Sequence, residues 1–209
     1  MSDIVSLGKI GPLPTVRSLP YDAEVEYLES TGTQYIKTGT TRLASDVVRI
    51  GFSATQFAFV WAFGVAAWEG AGDFGIRFSG SGTTGSCFNG WTVQNASLNA
   101  VNVMNSVTFT SASVIVNGTA YAKVASDIGH EIYLFATNLK NARTMPSKIR
   151  LYSYSVERDG KLVFNILPVR FTNELGVSEG AMYDKATGTL FRNANTAAGA
   201  APFLFGPDK

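Results

Sequence analysis

The chain has 209 residues, 16% of them charged, with a formal net charge of +1. That length fits one large all-β domain or two small ones, and the near-neutral charge gives no electrostatic reason to expect nucleic acid or an anionic membrane as a partner. The longest apolar run, residues 57–68, is too short to span a membrane, and the single cysteine, Cys87, excludes an internal disulfide or a cysteine-based metal cluster.

The first residues lack the basic start and apolar core of a secretory signal, so the expectation is a protein made and kept in a cytoplasm, or released from one by lysis. Residues 1–20 carry Pro12, Pro14 and Pro20, which rule out a helix and disfavour central sheet pairing. Two readings of this extended arm stand open. It is a solvated tail, as termini often are, or it orders on a partner, because Ile4, Val5, Leu7, Ile10, Leu13 and Val16 are too apolar for a tail in water.

From Tyr21 onward the pattern is strand after strand. EVEYL at 24–28 alternates, STGT at 30–33 turns, and QYIK at 34–37 continues. Residues 46–53 place Val48, Ile50 and Phe52 on one face, and the nearly unbroken apolar run 56–64 predicts a core strand. Strands are expected at 74–78 and 86–88, with the Gly/Ser/Thr-rich stretch 79–85 as a loop between them. Residues 101–110 and 113–116 lead into Asn117-Gly118, a strong hairpin signal, with 120–124 returning. Another core strand is predicted at 132–136.

Residues 146–170 give the clearest signal. A strand at 149–156 runs in, Arg158, Asp159 and Gly160 turn, and a strand at 162–167 runs out. Both arms are apolar or aromatic on both faces, which predicts a central position in a sheet. Short strands follow near 181–183, 189–191 and 202–205. No window holds a helical period, although 91–104 is ambiguous. This succession of short strands indicates an antiparallel sandwich or barrel.

Several of these stretches resemble a known fold family. EYLESTGTQYI at 26–36 resembles the opening strands of the concanavalin A-like lectin/glucanase jelly rolls, in their laminin-G-like branch. VIVNG at 114–118, IYLFA at 132–136 and KIRLY at 148–152 continue the likeness. The ending, with PVR at 168–170, MYD at 182–184, GTLFRN at 188–193 and GPD at 206–208, is similar to versions common in phage and prophage proteins of gut bacteria. The resemblance covers residues 21–209. It implies an all-β, antiparallel two-sheet jelly-roll sandwich behind the N-terminal arm, with a concave face or loop rim able to bind glycans. The family includes glycosidases, lectins and structural modules, so the fold does not decide the function.

The family's β-glucan-cleaving enzymes carry E-x-D-x-E along one strand, as retaining hydrolysis requires two carboxylates about 5 Å apart. The nearest approach here is Glu24-x-Glu26, with Glu29 out of phase, on the first strand, and it has the ordinary look of a half-solvated strand. His130 is the only histidine, and a Cys87–His130 pair is arithmetically available, but a buried thiol and a turn histidine account for both. Gly80, Gly82 and Gly85 precede no helix that could hold a phosphate. Asp73 and Asp127 are the candidates for a loop calcium, although isolated loop aspartates ordinarily make turns. No metal or cofactor is expected.

Sugar binding has more to offer. Trp68 and Trp91 lie in or beside polar loops, with Asn89, Gln94 and Asn95 able to supply amides around an aromatic platform. The alternative, that tryptophans fill the core, is favoured for Trp61 and stays open for the other two. The function expected is a non-catalytic bacteriophage virion protein: capsid decoration, head fibre or tail-fibre component. It would anchor to other virion proteins through its arm, form a homo-oligomer and possess an outward jelly roll that can touch a host-surface glycan. A free-standing lectin module is the alternative, and a glycoside hydrolase the remote one.

Overall fold

The structure, a computed structural model, describes residues 19–66, 72–80, 83–90 and 93–209. In chain order the strands begin with β1 (Ala23–Glu24), β2 (Leu28–Glu29), β3 (Ile36–Lys37) and β4 (Val47–Ala54). Next come β5 (Trp61–Ala66), β6 (Asp73–Phe78), β7 (Thr84–Gly90) and β8 (Val93–Ser97). Then follow β9 (Asn105–Phe109), β10 (Ser113–Val116), β11 (Thr119–Ala122), β12 (Tyr133–Leu134), β13 (Thr137–Leu139) and β14 (Ala142–Thr144). The chain ends through β15 (Ile149–Arg158), β16 (Lys161–Thr172), β17 (Ser178–Asp184), β18 (Thr189–Phe191) and β19 (Leu204–Phe205). There is no helix among the described residues.

These strands form an all-β sandwich of two sheets. The larger runs β11-β10-β9-β4-β15-β16-β17-β18, with β1, β2 and β19 attached, and the smaller runs β14-β13-β5-β6-β7-β8, with β12 and β3 attached. Every pairing is antiparallel except β13 on β5, which is parallel. The β15–β16 hairpin is central, as its two apolar faces require, and it turns at Asp159 (φ 50°) and Gly160 (φ 73°). Asn117 (φ 48°) and Gly118 (φ 86°) make the second such turn.

Aromatic rings from both sheets interlock between them. Phe63 of β5 meets Phe74 of β6 at 5.6 Å, Phe109 of β9 at 5.9 Å and Tyr154 of β15 at 5.8 Å, each edge to face. Edge-to-face pairs contribute about 0.5–1.5 kcal/mol beyond their buried area. Phe63 therefore ties the two sheets together.

Three expectations are corrected. The apolar run 56–64 becomes a strand only from Trp61: Phe57 turns instead to pack against Phe78 at 5.4 Å, and Val60 N–H bonds back to Ala58 O at 2.8 Å. The run 132–136 is buried throughout but breaks at Phe135, whose φ is 66°. Phe135 is held there by N–H to Ala62 O at 2.8 Å and by the Phe203 ring at 4.8 Å, and the chain leaves it to pair in parallel with β5. Finally, β16 runs on through Pro168 to Thr172. Pro168 sits where β16 exchanges β15, paired as far as Ile166, for β1, paired from Val169, so its missing N–H breaks no ladder.

The stretches that carry the family resemblance are staples of the fold. Gln34 is fully buried, accepts the Thr31 N–H at 2.9 Å, and donates to Pro202 O at 2.8 Å. Arg150 of KIRLY bonds Glu29 of EYLE at 2.7 Å and lies 4.6 Å over Tyr27. Asp184 of MYD is buried and accepts Asn165 N–H at 2.8 Å, Ala186 N–H at 3.0 Å and the Thr187 hydroxyl at 2.7 Å. Arg170 of PVR meets Asp208 of GPD at 2.8 Å.

Candidate binding site

The outer face of the smaller sheet is built by register. Cross-strand partners place Trp61, Arg77, Ser86 and Asn95 in one row across β5, β6, β7 and β8. The next row holds Thr137, Gly64, Gly75 and Phe88. Beyond it Leu139 pairs with Ala66, and Asp73 with Gly90. Neighbouring strands are about 4.8 Å apart and rows about 6.7 Å, so these residues share a patch the size of a few sugar rings.

Two glycines open this patch. Gly64 (φ 140°) and Gly75 (φ 130°) face each other, and a Cβ on either would lie 2.0 or 2.1 Å from a carbonyl oxygen of the opposite strand. The Trp61 ring of β5 reaches across β6 and stacks on Phe88 of β7, centroids 4.9 Å apart and planes at 27°. A cleft of about 190 Å³ lies beside this stack, lined by Trp61, Ala66, Asp73, Arg77, Thr137 and Leu139, with Thr144 and Met145 closing one side. It is smaller than the roughly 300–1,000 Å³ of a drug-sized site, and fits one or two ring-sized units.

Charge and polarity in the cleft are specific. The Arg77 guanidinium lies 4.7 Å from the Phe59 ring centroid, 5.1 Å from Phe88 and 6.0 Å from Trp61. Asp73, four residues earlier on the same face of β6, stands about 13 Å away at the other end. The buried Thr137 hydroxyl has no hydrogen-bond partner among the described residues. Two further clefts offer less. One of about 280 Å³ has Arg158 as its only charged lining residue, already bonded through two nitrogens to Asp46 at 2.8 Å. One of about 180 Å³ has Lys148 but no aromatic ring among its lining residues.

The residues singled out in the sequence fare differently. Trp68 and Trp91, and the arm residues Ile4, Val5, Leu7, Ile10, Leu13 and Val16, lie outside the described residues. Asn89 is fully buried on the inner face of β7, where its amide donates to Thr110 O at 3.2 Å and Lys123 O at 2.9 Å. It ties loops together. Gln94 donates to Asn95 O at 2.6 Å from the inward side of β8. Asn95 is exposed, accepts the Ser86 hydroxyl at 2.9 Å, and ends the row that holds Trp61 and Arg77. Trp61 is 2% exposed, yet it lies outside the core cluster, on the outer side of its sheet.

Other expected chemistry is dispersed. Glu24 pairs with Lys185 at 3.0 Å and Glu29 with Arg150, both on the larger sheet. Cys87 is fully buried, its thiol pushed up to about 12 by burial, while His130 is exposed, so the two do not meet. Asp127 accepts the Ala44 N–H at 2.6 Å, and among the described residues no three His, Cys, Asp or Glu side chains gather as metal ligands would.

Sequence reasoning missed Arg77, Phe88 and Thr137. The signal for the first two was present: with Phe74, Ile76 and Phe78 inward, alternation turns Arg77 outward, and the buried Cys87 does the same for Phe88. Thr137 was not reachable this way, because the parallel β13 follows from the kink at Phe135. Compared with known proteins, the chain matches no protein-family model and no curated sequence.

Proposed function

We propose that this protein is a non-catalytic component of a bacteriophage particle, of the concanavalin A-like jelly-roll kind. Residues 1–20 hold it to other virion proteins or to neighbouring copies, and the sandwich faces outward with a saccharide-binding cleft on its smaller sheet. The observation that carries the binding half is the cleft itself, which lies beside the stacked Trp61–Phe88 pair and is lined by a cation at one end, a carboxylate at the other and a hydroxyl. The half-buried Phe88 ring, backed by Trp61, offers apolar area to a pyranose face while the polar groups order its hydroxyls. The described lining residues include one carboxylate, Asp73, where retaining hydrolysis uses two. The similarity of PVR, MYD and GTLFRN to phage proteins supports the setting.

The binding half is tested by retention on an oligosaccharide array. Wild type binds a defined set of glycans, and Asp73→Asn and Thr144→Trp, the second filling the cleft from an edge strand, each weaken that binding at least tenfold with an unchanged melting temperature. Full retention by both variants would move the site elsewhere. The particle half is tested by deleting residues 1–20: incorporation into particles is abolished while the sandwich stays folded. Equal incorporation would leave the free-standing lectin reading in its place.

A further inference from the structure

The polar groups of the cleft differ in what they still have to offer. Arg77 is half-buried and touches three aromatic rings, and such contacts engage the face of a guanidinium while leaving its five N–H donors at the edge. Among the described residues it has no carboxylate partner and no hydrogen-bond acceptor. Among the described residues the other half-buried guanidiniums are spent, Arg150 on Glu29, Arg158 on Asp46 and Arg170 on Asp208, and Arg42 is wholly buried in the interior. Arg77 is also the only cation among the described residues lining the cleft.

The geometry points to an anionic saccharide as the ligand of this cleft, an inference that rests on the saccharide reading above. Its carboxylate or sulfate sits against the edge of Arg77, flanked by Ser86 and Asn95 of the same row. Its neutral rings run along β6 over Gly75 toward Asp73, which accepts hydroxyl protons and repels a second anion at that end. The planar fork of a guanidinium matches a carboxylate through two parallel hydrogen bonds, and walls of aromatic ring keep water from competing. The 13 Å or so between Arg77 and Asp73 leaves room for about two sugar units with a single charge at one end.

Matched pairs of probes test this with the full-length protein by titration calorimetry: sialyllactose against lactose, and 6-sulfated against unmodified galactobiose. The expected result is at least tenfold tighter binding of the acidic member of one or more pairs, weakening as salt is raised from about 0.05 to about 0.5 M. The preference disappears in Arg77→Gln and is reduced but kept in Arg77→Lys. Which pair responds tells carboxylate from sulfate. Equal affinity for acidic and neutral members, or an acidic preference that Arg77→Gln leaves intact, would overturn the assignment while the saccharide reading stands. Failure of every probe to bind would overturn both. The wild-type comparison does not depend on any variant folding.

Discussion

Two buried residues and two glycines show how narrowly the interior is specified. Arg42 is wholly buried, its guanidinium 4.4 Å from the Phe74 ring and its Nη2 donating to Thr110 O at 3.3 Å, while Nε and Nη1 find no acceptor among the described residues. Burial pulls it down to about 10. A long apolar side chain of similar reach should therefore serve as well: Arg42→Met is expected to be neutral or stabilising in urea melts, whereas Arg42→Ala, which empties the space, costs about 2–5 kcal/mol. Cys87 has the opposite sign. Its thiol is raised from 9.0 to about 12 by burial, so the stability it contributes is present below pH 9 and lost as pH climbs toward 12. Melts from pH 8 to 11 should show a steeper decline for wild type than for Cys87→Ala, and thiol reagents should label Cys87 only in denaturant. At the Gly64–Gly75 pair, alanine meets a carbonyl as well as a positive φ, and either substitution should lose about 3 kcal/mol or more. Gly129→Ala, in open space, should stay within about 0.5 kcal/mol.

At the scale of strands and turns, what was legible follows from local chemistry. Asn117-Gly118 and Asp159-Gly160 announce their turns because both central residues need positive φ, and the alternation of Val48, Ile50 and Phe52 announces β4. What was not legible depends on distant partners. The strand expected at 132–136 is broken because Ala62 and Phe203, far away in sequence, fix Phe135 at φ 66°. The start of β5 is set by the Trp61–Arg77 pairing and not by the apolar run that precedes it. The family-like stretches were readable as strands and turns but not as staples, since their partners lie 38 to 168 positions away or, for Asp184, in the turn it caps. Gln34→Ala leaves the 30–34 turn without its acceptor and Pro202 O without its donor, and should destabilise by about 2–3 kcal/mol. Thermal melts of that variant beside Asp184→Ala, which leaves two donors of the 184–188 turn and the Asn165 N–H of β16 without their acceptor, would measure how far these motifs serve the fold alone.

For the whole molecule, the sandwich and the central hairpin could be read from the chain, while the cleft could not, because it arises where four strands and a parallel neighbour come into register. The sequence pointed to Trp68 and Trp91, which lie outside the described residues, and geometry brings forward Trp61, Arg77 and Phe88 on the sheet face. Light scattering of the intact chain against a form lacking residues 1–20 should show a defined oligomer falling to monomer, if the arm is an assembly element. The central claim, a saccharide seated on the smaller sheet, is tested most directly by following backbone amide NMR shifts as a retained oligosaccharide is titrated in. The account predicts shifts concentrated on β5, β6, β13 and β14, around Trp61, Arg77, Asp73 and Thr137. Shifts confined to the larger sheet, with β5, β6 and β13 unmoved, would contradict it.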